Sequence, residues 1–328
     1  MSVELLTLDN LLLSRLTRRT VEQVSAINCT APTEGSIEFF IRASLSENTQ
    51  TAYLSDMRQF ELWGGTVPAE PDTVARYIAC LAGSLTFATI HRRLASISKA
   101  HRSRGYSSPT SSELVKSTMR GIRKVNGIAQ RETKPLLKDD LVLVLDALGP
   151  SLKNQRDRAI LLLGFAGAFR RSEIVALNVA DIDNVPQGII VHLRRSKTDQ
   201  NGKGRKVGIP YGKSRACPVI ALSHWLRRSQ IEEGPIFRPI NRHGQLASAR
   251  LSGDAVCSII KESLSNAGMD NEGFSGHSLR AGLATSAAQA DVPSWKIRQQ
   301  TGHASDAMLG RYIRDAKLFD RNAAGQLL

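Results

Sequence analysis

The chain has 328 residues, 41% of them hydrophobic, and carries a formal net charge of +14. That length exceeds one typical compact domain and suits two, and the apolar content excludes global disorder. The charge points to a polyanionic partner, nucleic acid first and an anionic membrane surface second. The membrane reading is weak, because the longest apolar run, Ala159 to Phe169, has eleven residues where a span needs roughly 20.

Residues 1–30 read as an N-terminal extension. Met1 to Thr20 places Glu4 and Asp9 around Leu11-Leu12-Leu13 and lacks a basic n-region, so no signal peptide is expected. Cys29, Cys80, Cys217 and Cys257 are scattered with no Cys-x-x-Cys pair. That spacing argues for neither a zinc site nor a disulfide framework, and fits a reducing cytosol.

Residues 31–128 read as an all-helical domain. Glu38 to Ser44 ends one helix. Ser46-Glu47-Asn48 caps the next, whose apolar positions Tyr53, Leu54, Met57, Phe60 and Trp63 follow helical spacing until Gly64-Gly65 stops it. Asp72 to Ala82, Phe87 to Arg102 and Ser111 to Val125 predict three more helices. Periodicity makes Tyr53, Phe60 and Trp63 core residues rather than platforms for bases.

Charge is concentrated in one stretch of this domain. Residues 1–90 hold 6 Lys/Arg against 10 Asp/Glu. Residues 91–124 hold nine basic residues (Arg92, Arg93, Lys99, Arg102, Arg104, Lys116, Arg120, Arg123, Lys124) against Glu113 alone. Such an excess over two helices predicts a DNA-facing surface that contacts phosphates and contributes affinity more than sequence discrimination.

Asn126 to Lys138 is polar, aperiodic and contains Pro135, which makes it the linker candidate, with the linker proper at 129–138. The second domain, 139–328, is expected to be helix-rich with a small sheet. Gln155 to Phe169 is a strongly apolar helix and Ser172 to Asn178 begins another. Ile189 to Leu193 and Lys206 to Ile209 predict a β-hairpin around the turn signal Asp199 to Gly204, with Lys197 near its tip. Asp181 and Asp183 have no further carboxylate or histidine at matching spacing, and read as capping or turn residues rather than metal ligands. The fold class is therefore mainly α with a small β-sheet.

The chemistry gathers in five short strings. Arg170 opens Arg170-Arg171-Ser172-Glu173; His277-Ser278-Leu279-Arg280, Thr301-Gly302-His303 and Tyr312 lie near the end, and Ser196-Lys197-Thr198-Asp199 sits in the hairpin. His277 and Arg280 are three apart and share a helical face. His303 and Tyr312 meet only if the chain turns between them, and Ala304-Ser305-Asp306 offers that turn with Ser305 as N-cap. Two arginines, two histidines and a tyrosine converging in this way describe a phosphate site with a phenol nucleophile.

These strings, in this order and at these gaps, resemble those of the tyrosine recombinases of the phage-integrase family. The resemblance also covers the helical domain, where Ser46 to Trp63 is similar to the helix that enters the major groove. It implies Tyr312 as nucleophile, His277 as its proton acceptor, and Arg170 and Arg280 as clamps on the phosphate oxygens. Lys197 becomes the acid for the leaving 5′ oxygen, His303 a phosphate hydrogen-bonder, and Glu173 an orienting residue. The family pattern Arg-x-Ser-Glu selects Arg170 over Arg171.

A phenol with a reference pKa near 10 is about one part in a thousand ionised at neutrality, so the cage must supply charge and a base. A 3′-phosphotyrosyl product would store the energy of the broken phosphodiester, so that no ATP, metal or cofactor is needed. The implied partners are double-stranded DNA recombination sites, bound by a homotetramer that joins two of them through a Holliday junction in the cytoplasm. Accessory proteins, target sequence and direction stay open. The tail 315–328, with Leu318, Phe319, Leu327 and Leu328, is expected to dock in trans on the next protomer. A type IB topoisomerase and a non-catalytic DNA-binding regulator on the same fold are the alternatives.

Overall fold

In the computed structural model the described residues are 39–40, 44–127, 133–194, 204–303 and 305–316. The chain divides into two compact units, Met1–Gln130 and Arg131–Leu328.

The first unit holds four α-helices among its described residues: α1 (Glu47–Leu62), α2 (Pro71–Leu81), α3 (Phe87–Ser103) and α4 (Glu113–Asn126). Each long helix starts where a hydroxyl caps it. Ser46, Thr86 and Ser112 accept from the backbone N–H three residues on, satisfying donors that a helix start leaves orphaned. The core is built at helical spacing from Ile90, Leu94 and Ile97 of α3, and Val115, Met119 and Ile122 of α4, around a fully buried Phe60. Leu54, expected inside, is 48% exposed, because at its turn of α1 the core is reached by Met57 and Phe60 instead. Trp63 lies at the core's edge, with its ring centroid 5.2 Å from that of Tyr77.

One buried charge organises the basic helix. Asp56, 3% exposed, accepts from Ser96 Oγ at 2.8 Å and pairs with Arg92 Nη1 at 2.9 Å and Arg93 Nε at 3.8 Å. Removing one partner of such a pair typically costs about 3 kcal/mol, because the other charge is left buried and uncompensated.

The second unit carries α5 (Lys138–Asp146), α6 (Leu152–Ala166), α7 (Arg171–Ala176), α8 (Pro218–Ser229), α9 (Gly253–Asn266), α10 (Ser278–Gln289), α11 (Ser294–Thr301) and α12 (Asp306–Ala316). Its sheet, β1 (Ile182–Val185), β2 (Gly188–Leu193) and β3 (Arg205–Pro210), is antiparallel in the order β1-β2-β3. Two strands were expected. The third, Ile-Asp-Asn-Val, has poor strand formers at its centre and shows no alternation of burial, so only pairing with β2 (Ile182 opposite Val191) defines it.

Helix α6 runs through the middle of this unit, with Ile160, Leu161 and Leu163 fully buried. Trp225 of α8 is equally enclosed and donates its indole N–H to Ile236 O at 2.8 Å. Residues 133–137, within the stretch read as linker, lie along α10. Leu136 N donates to Ser278 O at 3.0 Å, and Gly282 lets its carbonyl approach so closely that a Cβ there would sit 1.8 Å from Leu136 O. Among the described residues no helix is long and apolar enough to cross a membrane.

Candidate active site

The first wall of the site is the turn between α6 and α7. Ala168 adopts a left-handed φ of 48°, which aims its carbonyl inward and delivers Arg170 to the start of α7. Glu173 then reaches back one turn. Its Oε2 accepts from the Arg170 backbone N–H at 3.0 Å and its Oε1 from Arg170 Nη1 at 2.6 Å. Glu173 is 4% exposed, so this fixes the guanidinium rigidly. Arg171 points the other way, to Asp254 Oδ1 at 2.7 Å and Cys257 Sγ at 3.3 Å on α9. The doubled arginine is thus separated by the helix start itself: neighbouring positions face different sides.

The second wall is the start of α10. His277 occupies the N-cap and Arg280 the first turn, which brings both to one side. Arg280 is 1% exposed. Its Nη1 donates to Ala168 O at 2.9 Å and to Thr301 O, which ties α6, α10 and α11 together. Its Nε and Nη2 are buried and have no hydrogen-bond partner among the described residues. Burial first, and Arg170 next, depress its pKa to about 10, so it stays charged at neutral pH. Buried charged donors left unbonded are costly unless an anion meets them.

The third wall is the end of α11. Gly302 takes a left-handed φ of 67°, which ends the helix and turns His303 back to the site. Thr301 Oγ1 lies 2.8 Å from His303 Nδ1. Burial, then Arg280 and Arg170, lower the His303 pKa to about 4. Ser305 accepts from Met308 N at 3.4 Å and opens α12, whose second turn carries Tyr312. The Tyr312 hydroxyl lies 3.0 Å from His277 Nε2, and its ring stacks 5.8 Å from that of His303. Desolvation, with Arg280 and Arg170 behind it, pushes the His277 pKa below its ordinary value. At neutral pH His277 is therefore unprotonated and able to accept a proton.

Arg170, Glu173, His277, Arg280, His303 and Tyr312 are thus brought together. Lys197 lies outside the described residues, as do its neighbours in the hairpin tip. Sequence reasoning missed Arg205, the first residue of β3. Its Nη1 donates to Gln300 O at 3.0 Å, and its Nη2 lies 3.9 Å from Glu173 Oε2. One signal was available: Arg205 falls on the same face of β3 as buried Val207 and Ile209, where a solvated strand residue does not belong.

The nine basic residues of the first unit fall into two groups. Lys99, Arg102, Lys116, Arg120, Arg123 and Lys124 are exposed, and those of α4 repeat at helical spacing along one side. Arg120 is held by Glu113, and Arg104 is partly covered. Arg92 and Arg93 belong to the Asp56 network. Arg93, with its side chain 14% exposed, also donates to Tyr77 OH at 2.7 Å, so its job is internal. Asp181 caps a short 3-10 turn by accepting from Asn178 N at 2.9 Å, and Asp183 of β1 meets His192 Nε2 at 2.6 Å.

A basic helical unit and a cage of arginines around a tyrosine define a DNA strand transferase, and comparison with known proteins agrees. The phage integrase family model matches residues 134–318. An integrase/recombinase XerD homolog from Selenomonas ruminantium is 40% identical over 297 residues, spanning 88% of this chain and 87% of its own. Recombinase Cre of Escherichia phage P1 is 28% identical over 299 residues, 84% of this chain and 86% of that one. A solved lambda integrase dimer bound to a COC′ core site shares the fold, with a TM-score of 0.59 at 17% identity over 87% of this chain and 94% of that one. The chain belongs to the phage integrase family, and it is a tyrosine-type site-specific DNA recombinase.

Proposed function

We propose that Tyr312 cuts one strand of a recombination site and holds its 3′ end as a phosphotyrosyl ester. The phenol passes its proton to neutral His277, and its oxygen forms the new bond to phosphorus. Arg170 and Arg280 receive the charge that develops on the non-bridging oxygens. His303, its Nδ1 held at 2.8 Å from the Thr301 hydroxyl, hydrogen-bonds the same phosphate. Lys197 protonates the departing 5′ oxygen. Attack by a 5′ hydroxyl from a second site reverses these steps and completes exchange through a Holliday junction. The observation that carries this reading is the Tyr312–His277 hydrogen bond beside two unbonded, buried nitrogens of Arg280.

A nicked suicide substrate, which loses a short fragment on cleavage, tests it. The wild type should accumulate a covalent adduct, and Tyr312→Phe should form none while binding DNA nearly as well, since lysines and arginines supply most of the affinity. An adduct formed by Tyr312→Phe would place the nucleophile elsewhere. The integrase and recombinase names of the relatives support exchange over mere relaxation of DNA or non-catalytic regulation.

Exchange further calls for a homotetramer on two DNA sites, acting in the bacterial cytoplasm on nucleoid DNA. The tail 315–328, nearly all outside the described residues, is assigned to docking in trans on the next protomer. Deleting it from Leu318 onward should preserve binding to one site and abolish the tetrameric synapse. Wild-type recombination by the truncated chain would refute that assignment.

A further inference from the structure

Arg205 joins three elements of the unit that carries the active site. It is the first residue of β3. From there its Nη1 binds Gln300 O at 3.0 Å, one turn before His303, and its Nη2 faces Glu173 Oε2 at 3.9 Å. The guanidinium lies flat under the Gly302 turn: a Cβ at Gly302 would meet Arg205 Cζ at 2.9 Å. Glu173 therefore stands between two guanidinium groups, accepting from that of Arg170 with Oε1 and facing that of Arg205 with Oε2, which also accepts from the Arg170 backbone N–H. Gln300 reinforces the junction, donating from Nε2 to Ala166 O at 2.7 Å and to Gly208 O of β3 at 3.2 Å.

We infer that Arg205 is a positioning residue for strand cleavage, holding β3, Glu173 with its Arg170, and the Gly302–His303 turn in one frame. A single side chain can do this because guanidinium is a fixed, planar fork, one branch hydrogen-bonded to Gln300 O and the other charge-paired with Glu173 at 3.9 Å. Lysine keeps the charge and has no fork. The setting is also electrostatically telling. Arg170, Arg205 and Arg280 surround one carboxylate, and burial is the first cause pulling the Arg205 pKa down. Its Nη1 is hydrogen-bonded to Gln300 O, while Nη2, buried and without a hydrogen-bond partner among the described residues, is held by the ion pair with Glu173 alone.

The inference rests on the site assignment above, and the test separates the two. Single-turnover cleavage of the nicked substrate is measured at saturating protein, with DNA affinity and melting temperature taken on the same samples. Arg205→Ala should slow cleavage about 10²-fold, the scale of a misplacement near 1 Å among reacting groups, at unchanged DNA affinity. Arg205→Lys should be comparably slow. Should Arg205→Ala fail to melt cooperatively, Arg205→Lys carries the comparison alone.

The double variant Arg205→Ala/Glu173→Gln distinguishes positioning from an independent role. Because Arg205 acts through Glu173 and the turn, the double variant should cleave about as slowly as the slower single variant, the two losses failing to multiply. Three results would each overturn the inference: cleavage at the wild-type rate in Arg205→Ala, full recovery in Arg205→Lys, or losses that multiply in the double variant. A covalent adduct in the Tyr312→Phe control would instead refute the site assignment, whatever Arg205 does.

Discussion

The Tyr312 hydroxyl lies 3.0 Å from His277 Nε2, although the two residues are 35 apart in sequence and belong to different helices. The distance is that of a hydrogen bond already made, so the proposed nucleophile meets its proposed proton acceptor before DNA arrives. What keeps His277 able to accept is its burial beside two arginines, which lowers its pKa.

A pH profile follows from that depression. His277 must be neutral to take the proton, and its pKa lies below the ordinary 6.5. Single-turnover cleavage should therefore fall with acid at a midpoint below pH 6.5. Stability has the same sign. The folded chain binds fewer protons than the unfolded chain between the His303 value of about 4 and 6.5, so stability rises with pH across that window and levels off above it. A cleavage midpoint above pH 6.5 would show that His277 is not the acceptor.

Arg170 and Arg171 should separate cleanly under mutation. Arg170→Ala removes a preorganised donor held by Glu173 and should slow cleavage at least about 10²–10³-fold. Arg171→Ala removes half-exposed contacts to Asp254 and Cys257, away from the site, and should stay near wild type. Equal losses in the covalent-adduct assay would mean that the register chosen from the sequence is wrong.

Lys197 can be tested through its leaving group. If it protonates the 5′ oxygen, a substrate with 5′-bridging sulfur should restore cleavage to Lys197→Ala, because a thiolate departs without an acid. Arg170→Ala should gain much less from the same substitution. Without that selectivity Lys197 is a groove contact.

Much of this protein could be read before any fold was known. Helix starts were legible because a hydroxyl before a periodic apolar run is a local signal, and Ser46 and Ser305 both cap as their positions suggest. The site strings were legible because reactive side chains are scarce and their order carries information. Strand β1 was not, since its pairing with β2 and not its own residues makes it a strand.

Nor could the sequence tell which charges face solvent. Arg93 and Lys99 look alike in a basic run, but Asp56, 37 residues upstream of Arg93, draws Arg93 inward and leaves Lys99 exposed. Arg205 is the sharpest case. Sequence by itself determined the family and the helical character and singled out the candidate reacting groups, because these rest on local periodicity and residue chemistry. Only the tertiary structure decided which guanidinium meets which carbonyl and carboxylate, because those bonds join β3, α7 and α11, whose proximity depends on long-range packing.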